Sequence, residues 1–374
     1  MNPTIEIFHT LEDARATWTR FQDRGSAYVF QTYEWVESWY RHIGRRRGVR
    51  PVLVAVYDEK GEPSSFFAFG VESRGPVRTL TWLGEPLNDY GAPIIVRDTQ
   101  GFPALWSEIQ NSLPPVDVVM LKRIPDRVNS ASNPMCELRC RRYHSSAHFV
   151  RLDGTWDTFY ERHAGAKTRS TDRRKQRRLA AEGKINYEIN RGNDRPGFDA
   201  LARAMIEQKA SRYREMNAPN ILANRGCREF FAAPAEELVA SGRLHLSGLF
   251  VDREPVTTHW GMIHQKRFYY YMPSLASARW RKYSPGRLLL CHLFEWCFDN
   301  DIEVFDFTIG DEPYKKDWCD EETPLYEYFE ARTPAGKLYG VYYRLMKAVL
   351  DNTVTLNLAR RTRALFYRLR NAGS

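Results

Sequence analysis

VTTHWGMIHQKRFYYYMPSLASARWRKYSPGRLLLCHLFEWCFDNDIEVFDFTIGDEPYKKDW, residues 256–318, is the stretch on which the reading of the fold turns. Val256–His264 and Arg267–Pro273 are rich in β-branched and aromatic residues and are separated by a Gln265-Lys266 turn. They predict paired strands, and with Leu244–Val251 before them they make a three-strand meander. Gly286–Asp299 reads as a helix and Val304–Thr308 as a short apolar strand.

Two connections in this stretch carry chemistry. Arg281-Lys282-Tyr283-Ser284-Pro285-Gly286-Arg287 joins the meander to the helix. Ser284 suits a cap and Pro285 the first helical turn. Unpaired N–H groups and the positive end of the helix dipole make such a basic loop a place for an anion. The same residues also describe an ordinary capped helix with surface charges. The end of this last strand and the turn after it, Asp306 to Lys315, present a carboxylate, a phenol and an ammonium around Gly310, the groups of acid–base chemistry. A strand end with a solvated turn is the plain alternative.

Outward from this stretch, both halves of the chain follow one order of elements: helices, a strand hairpin, a strand, a helix and a strand. In the first half the helices are Leu11–Asp23, with Thr10 as its cap, and Tyr33–Ile43; the hairpin is Pro51–Tyr57 with Ser64–Val71. Thr79–Leu83, Ala92–Val96, helix Phe102–Ser112 and Val116–Leu121 complete it. The second half opens with helices Trp156–His163 and Lys167–Glu182. The expected fold is α/β, with tandem units of mixed, mostly antiparallel sheet flanked by helices. The expected division is residues 1–150, residues 151–335 and a basic helical tail over 336–374.

A chain of 374 residues with 43% hydrophobic and 27% charged residues is a folded protein of more than one ordinary core. The aromatic share is 13%, with 10 Trp and 20 Tyr, which fits aromatic-lined clefts or aromatic-rich sheets. A formal charge of +9 favours anionic partners: a phosphorylated cofactor, a nucleic acid or an anionic membrane surface. Glu6, Glu12 and Asp13 interrupt the N-terminus, so it does not read as a signal peptide, and no apolar run is long enough to span a bilayer. The six widely spaced cysteines read as reduced thiols, and the expected location is cytoplasmic.

Cys136, Cys140, His144 and His148 have a metal-like spacing. On a helix they would span roughly 18 Å, too far for one tetrahedral ion, so no metal is expected. Arg173, Arg174, Lys175, Arg177 and Arg178 form a charged helix face that suits phosphates or plain solvent. Tyr339–Arg370 is basic and partly amphipathic, a segment that either packs on the core or lies on an anionic membrane.

The Ser284-Pro285-Gly286 loop before a helix, Asp306-Phe307 followed by Gly310, and Tyr314-Lys315 followed by Trp318 resemble the C-terminal half of the GNAT-superfamily acyltransferases of the CelD-type and FemAB-related branch. Gly84-Glu85-Pro86-Leu87-Asn88-Asp89-Tyr90 resembles their N-terminal signature, and Lys167–Leu179 their Arg-rich helix. The resemblance covers roughly residues 5–335. It implies transfer of an acyl group, with acyl-CoA (acetyl-CoA) as co-substrate, to an amine or hydroxyl on a small molecule or cell-envelope or exopolysaccharide precursor. The donor's pyrophosphate would lie on Arg281, Lys282, Ser284, Gly286 and Arg287. Tyr314 is the candidate acid for the leaving thiolate, His259 the candidate base, and Asp306 a base or the group that orients one. Asp89 and Tyr90 would grip the acceptor, and Lys315 would bind a substrate carboxylate or phosphate. Two rivals stand beside this reading: a FemAB-type ligase that takes its amino acid from aminoacyl-tRNA, and a non-catalytic accessory protein of polysaccharide synthesis.

Overall fold

The computed structural model describes residues 3–99, 101–217, 220–234, 236–275 and 278–351, the side chains of 74 and 348–351 aside. The first half runs β1 (Thr4–Phe8), α1 (Leu11–Arg24), α2 (Tyr33–Trp39), β2 (Arg50–Tyr57), β3 (Pro63–Arg74), β4 (Val77–Trp82), β5 (Ile94–Ile95), α3 (Phe102–Ser112), β6 (Val118–Pro125), the short pair β7 (Arg127–Val128) and β8 (Ala131–Ser132), and β9 (Arg141–Arg151). The second half runs α4 (Trp156–His163), α5 (Ala166–Ala180), β10 (Ile185–Asn190), α6 (Arg195–Glu215), α7 (Arg225–Ala232), α8 (Glu236–Ala240), β11 (Leu244–Val251), β12 (Glu254–His264), β13 (Arg267–Leu275), α9 (Ala278–Arg281), α10 (Pro285–Asp299), β14 (Val304–Ile309) and β15 (Glu321–Ala331). Helix α11 (Pro334–Asp351) follows, and the rest of the expected basic tail lies outside the described residues.

Local sequence explains the elements. Helix α1 starts where Thr10 Oγ accepts from the Asp13 amide, and its apolar stripe Leu11, Ala14, Trp18 and Phe21 recurs at three- and four-residue steps. Strands β2 and β3 alternate large apolar residues to opposite faces: Val52, Val54 and Val56 meet Phe67 and Phe69 on one face, and Leu53 and Ala55 meet Phe66 and Ala68 on the other.

Twelve strands form one path, β1-β2-β3-β4-β6-β15-β9-β14-β13-β12-β11-β10, with β5 paired to β3. All neighbours along it are antiparallel except two pairs, β4 with β6 and β13 with β14. Each parallel pair needs a crossover, which α3 and α10 supply. Thus an edge strand, a meander, a helix and a parallel strand occur in each half in the same order. Where the sequence reading sets two units side by side at residue 150, the backbone joins them. Strand β9 follows β6 in the chain but pairs with β14 of the second half, β15 follows β14 but pairs with β6 of the first, and β9 and β15 pair with each other.

The helices cover both faces of this sheet. On one face a single core runs through both halves, from Trp18, Phe21 and Trp35 to Phe230, Phe231, Trp260 and Tyr269. On the other face α3 covers the first half, and α4, α5 and α10 cover the second. The high aromatic content is therefore core. Truncating one of these fully buried tryptophans to alanine removes about 3–5 kcal/mol.

Candidate active site

Strands β13 and β14 pair over three positions, Arg267 with Val304, Phe268 with Phe305 and Tyr269 with Asp306, and then part. A wedge opens between their C-terminal ends, the end of an α/β sheet where ligands commonly bind. The backbone of β14 is bent to make it. Thr308 has φ 58° and Gly310 φ 121°, and the register against β9 slips between Asp306 and Ile309. A β-branched residue in the left-handed region is strained by about 1–3 kcal/mol, so its surroundings must hold it there.

Asp306 and Lys315 do the holding. Asp306 is fully buried; it accepts from the Thr308 amide at 2.7 Å, from Arg267 Nη1 at 2.8 Å and from Tyr90 Oη at 2.8 Å. Lys315, also buried, donates to the carbonyls of Ile309 and Gly310 at 3.0 and 2.9 Å and pairs with Glu312 at 2.9 Å. The carboxylate expected as a base is engaged on every side, and the ammonium expected to bind substrate instead clamps the turn. Tyr90, expected at the acceptor, gives its hydroxyl to Asp306.

The segment 84–91 of the first half enters the wedge. Gly84, at φ 97°, leaves room for Asn88: a Cβ there would lie 2.0 Å from Asn88 Oδ1. Asn88 donates to the Leu83 carbonyl at 2.6 Å and accepts from Trp35 Nε1 at 2.8 Å. Arg123 donates to the carbonyls of Pro86 and Asn88 and pairs with Glu85. Tyr271 of β13 donates to the Leu87 carbonyl at 2.6 Å. Gly91 donates to the Arg123 carbonyl at 2.8 Å, so the segment fills the gap that β4 and β6 leave where they part. A Cβ on Gly91 would lie 2.4 Å from both the Lys122 carbonyl and the Trp82 ring. The first half thus closes its own wedge and presents Asp89 to the other.

Asp89 is half-buried. Burial pushes its carboxyl up to about 6, against the pull of Arg123, the Thr308 hydroxyl and Lys315. Lys209 of α6 donates to the Pro273 carbonyl of β13 at 2.9 Å. Burial brings its ammonium down to about 8, offset by Glu312 and Asp89. The wedge therefore holds a carboxylate and an ammonium that both titrate near neutrality, which is the requirement for acid–base work. The sequence reading placed Asp89 here as an acceptor contact and passed over Lys209.

Tyr314 stands in a short helical turn just past the wedge, its ring 39% exposed and edge-on to Phe307 at 6.0 Å. Desolvation, Tyr270 and Glu312 raise its phenol, so it stays protonated. His259 lies elsewhere: buried on β12, it stacks on Tyr270 at 4.6 Å, and neither ring nitrogen has a hydrogen-bond partner. Burial, then His245 and Lys209, push its pKa well below the usual value, so its ring is neutral.

The basic loop opens from the end of β13. Ser284 stands at the N-cap position of α10 with φ 51°, but its side chain does not make the capping bond the sequence suggested; Lys175 of α5 donates to its hydroxyl instead, at 2.6 Å. Arg287 donates to Asp172 at 2.8 Å and lies over Trp318, while Arg281 pairs with Glu215. Lys282 is exposed over Tyr283. Gly286 approaches Leu275, whose Cδ2 would lie 2.7 Å from a Cβ at that position. The approach of Lys175 links the charged helix to this loop, a contact that sequence spacing does not reveal.

A cavity of about 880 Å³ opens elsewhere, at the N-terminal ends of β13 and β14, lined by Tyr28, Arg127, Arg151 and Arg267 among others. It lacks the bent backbone and the shifted Asp89 and Lys209 of the wedge. No group of three or more His, Cys, Asp or Glu among the described residues is arranged to hold a metal ion. His148 pairs with Asp311, while Cys136 and Cys140 pack in the first half. No described helix is long and apolar enough to cross a membrane.

The acetyltransferase (GNAT) domain family matches residues 166–316, which include β13, the loop, α10 and β14. No curated protein matches the chain. Among solved structures, FemX aligns with a TM-score of 0.57 at 11% identity, over 87% of this chain and 97% of its own. The C-terminal domain of a putative lysylphosphatidylglycerol synthetase from Agrobacterium fabrum aligns at 0.53 and 13% identity, over 91% and 97%. A protein of unknown function from Bacteroides thetaiotaomicron aligns at 0.53 and 11%, over 87% and 99%. These likenesses concern the fold, and they span nearly the whole chain. Residues 166–316 thus match the acetyltransferase (GNAT) domain family, and the mixed α/β fold around them is one that the chain shares with FemX.

Proposed function

We propose that this protein is an acyltransferase of the CelD-type and FemAB-related branch, acting in the cytoplasm, with one active site in the wedge between β13 and β14. The observation that carries the reading is Asp89: a carboxyl poised at about 6, delivered by the first half to the bent end of β14 in the second. The units would be residues 1–150 and 151–335, of which the first is a partner to the site rather than a second site.

The acyl donor is a thioester, acetyl-CoA in the simplest case. Its phosphates lie along the loop from Arg281 to Arg287, at the N-terminus of α10 and beside Lys175. An amine or hydroxyl of the acceptor attacks the thioester carbon, and its proton passes to the Asp89 carboxylate. Backbone N–H groups of β13 that face the wedge hold the oxyanion. The carbon–sulfur bond breaks, and Tyr314 gives a proton to the thiolate. Lys209, whose charged form Asp89 favours, can meet a negative acceptor group. Cell-envelope and exopolysaccharide precursors are the acceptor class this reading favours.

A second reading has an observation of its own. Arg173, Arg174, Arg177 and Arg178 stand exposed on α5, next to Lys175 at the loop, as a polyanion such as aminoacyl-tRNA would require. Thiol release from acetyl-CoA with pooled amines and hydroxyls separates the two. The first reading predicts release by the parent and a roughly 10²–10⁴-fold loss of turnover in Tyr314→Phe, with little change in donor affinity. No release by the parent would hand the site to the second reading, and full turnover in Tyr314→Phe would clear that residue.

A further inference from the structure

Helix α11 has two unlike faces. Its inner face is tightly seated: Gly336 and Gly340 bring it against the Asp117 carbonyl and the Phe329 ring, where a Cβ would lie 2.0 and 2.9 Å from them. Tyr343 stacks on Phe329 with centroids 5.9 Å apart and bonds Glu327, which Lys347 also meets at 2.6 Å. Its outer face carries Leu338, Val341, Tyr342, Leu345 and Met346, spaced so that all fall on one stripe. Leu338 is 74% exposed and Leu345 63%, and these five are most of the large apolar side chains exposed among the described residues. A helix already anchored by its other face has no folding reason for such a stripe, and contiguous exposed apolar surface marks an interaction site.

Charge says which kind. From residue 334 to the C-terminus, eight Lys or Arg stand against one acidic residue, Asp351, so this stretch holds most of the formal +9 of the whole protein. Lys337 and Arg344 are exposed and flank one edge of the stripe. A nucleic acid would take the charge and leave the stripe in water. A second copy would bury the stripe but press like charges together. An anionic bilayer takes both, apolar side chains into the headgroup boundary and cations among the phosphates. We infer that α11 is a docking surface for an anionic lipid membrane. This surface goes beyond the acyl-transfer reading and does not depend on it.

The test is co-sedimentation of the full chain with vesicles of phosphatidylcholine alone or mixed with phosphatidylglycerol. Binding to the mixed vesicles should exceed binding to the neutral ones by roughly tenfold or more, because each cation near the surface adds to the affinity. The double change Leu338→Glu with Leu345→Glu should lower it by about tenfold or more without altering the near-ultraviolet circular dichroism, since neither side chain is buried. Three results overturn the inference: no binding of the parent to mixed vesicles; unchanged binding of the double variant; or binding of an RNA polyanion, or self-association through the stripe, in place of vesicle binding.

Discussion

In the proposed mechanism Asp89 and Lys209 set the pH range over which the wedge works. A base must be ionised, so turnover should climb as pH rises through about 6, the value to which burial brings Asp89. It should fall again through about 8, where Lys209 loses its proton. Lys209→Arg keeps a cation at all accessible pH, so the alkaline limb should vanish while the acid limb stays. A profile of kcat/KM against pH checks both limbs. Stability runs the other way for Asp89. Its folded pKa lies above the ordinary 3.8, so its contribution is full below that value and is lost as pH rises through about 6. At this scale the sequence was partly legible. Asp89 stood out because the Gly84–Tyr90 segment has a turn's composition and resembles a signature. Lys209 did not, because a lysine within α6 looks like surface until Pro273, 64 positions away, is seen to accept from it. His259 drew attention as a strand histidine, but no sequence pattern says that a ring will be stacked on Tyr270.

Among elements, the segment that fills the gap between β4 and β6 decides how Asp89 is held. Gly91→Ala forces a Cβ against the Lys122 carbonyl and Trp82. It should destabilise the protein by about 1–3 kcal/mol and lower turnover by moving Asp89, both readable from urea midpoints and thiol release. The basic loop makes a separate claim: Arg281→Ala with Lys282→Ala should weaken acetyl-CoA by about tenfold in calorimetry and leave an apparent affinity less sensitive to salt. Unchanged affinity would remove the loop from the donor site. The meander, α10 and β14 were legible because apolar alternation and caps lie within each element. Strands β9 and β15 were not. Their sequences, RRYHSSAHFVR and EETPLYEYFEA, mix charges and a proline into the pattern, and only pairing across the halves makes them strands.

For the whole molecule, exchange of β9 and β15 and a core shared by both halves mean that neither half completes its own sheet. The repeated order of elements was visible in the sequence, but this exchange was not, since it lies in contacts more than 150 positions apart, such as Val304 with Arg151 and Phe149 with Glu321. In the proposed mechanism function follows from the same joining: the base would come from the first half, and the bent strand and donor loop from the second. The most direct test of that claim is Asp89→Asn, measured for turnover by thiol release and for acetyl-CoA affinity by calorimetry. The account predicts a roughly 10²–10⁴-fold loss of turnover with donor affinity nearly unchanged. Full turnover in this variant would contradict a site built from both halves.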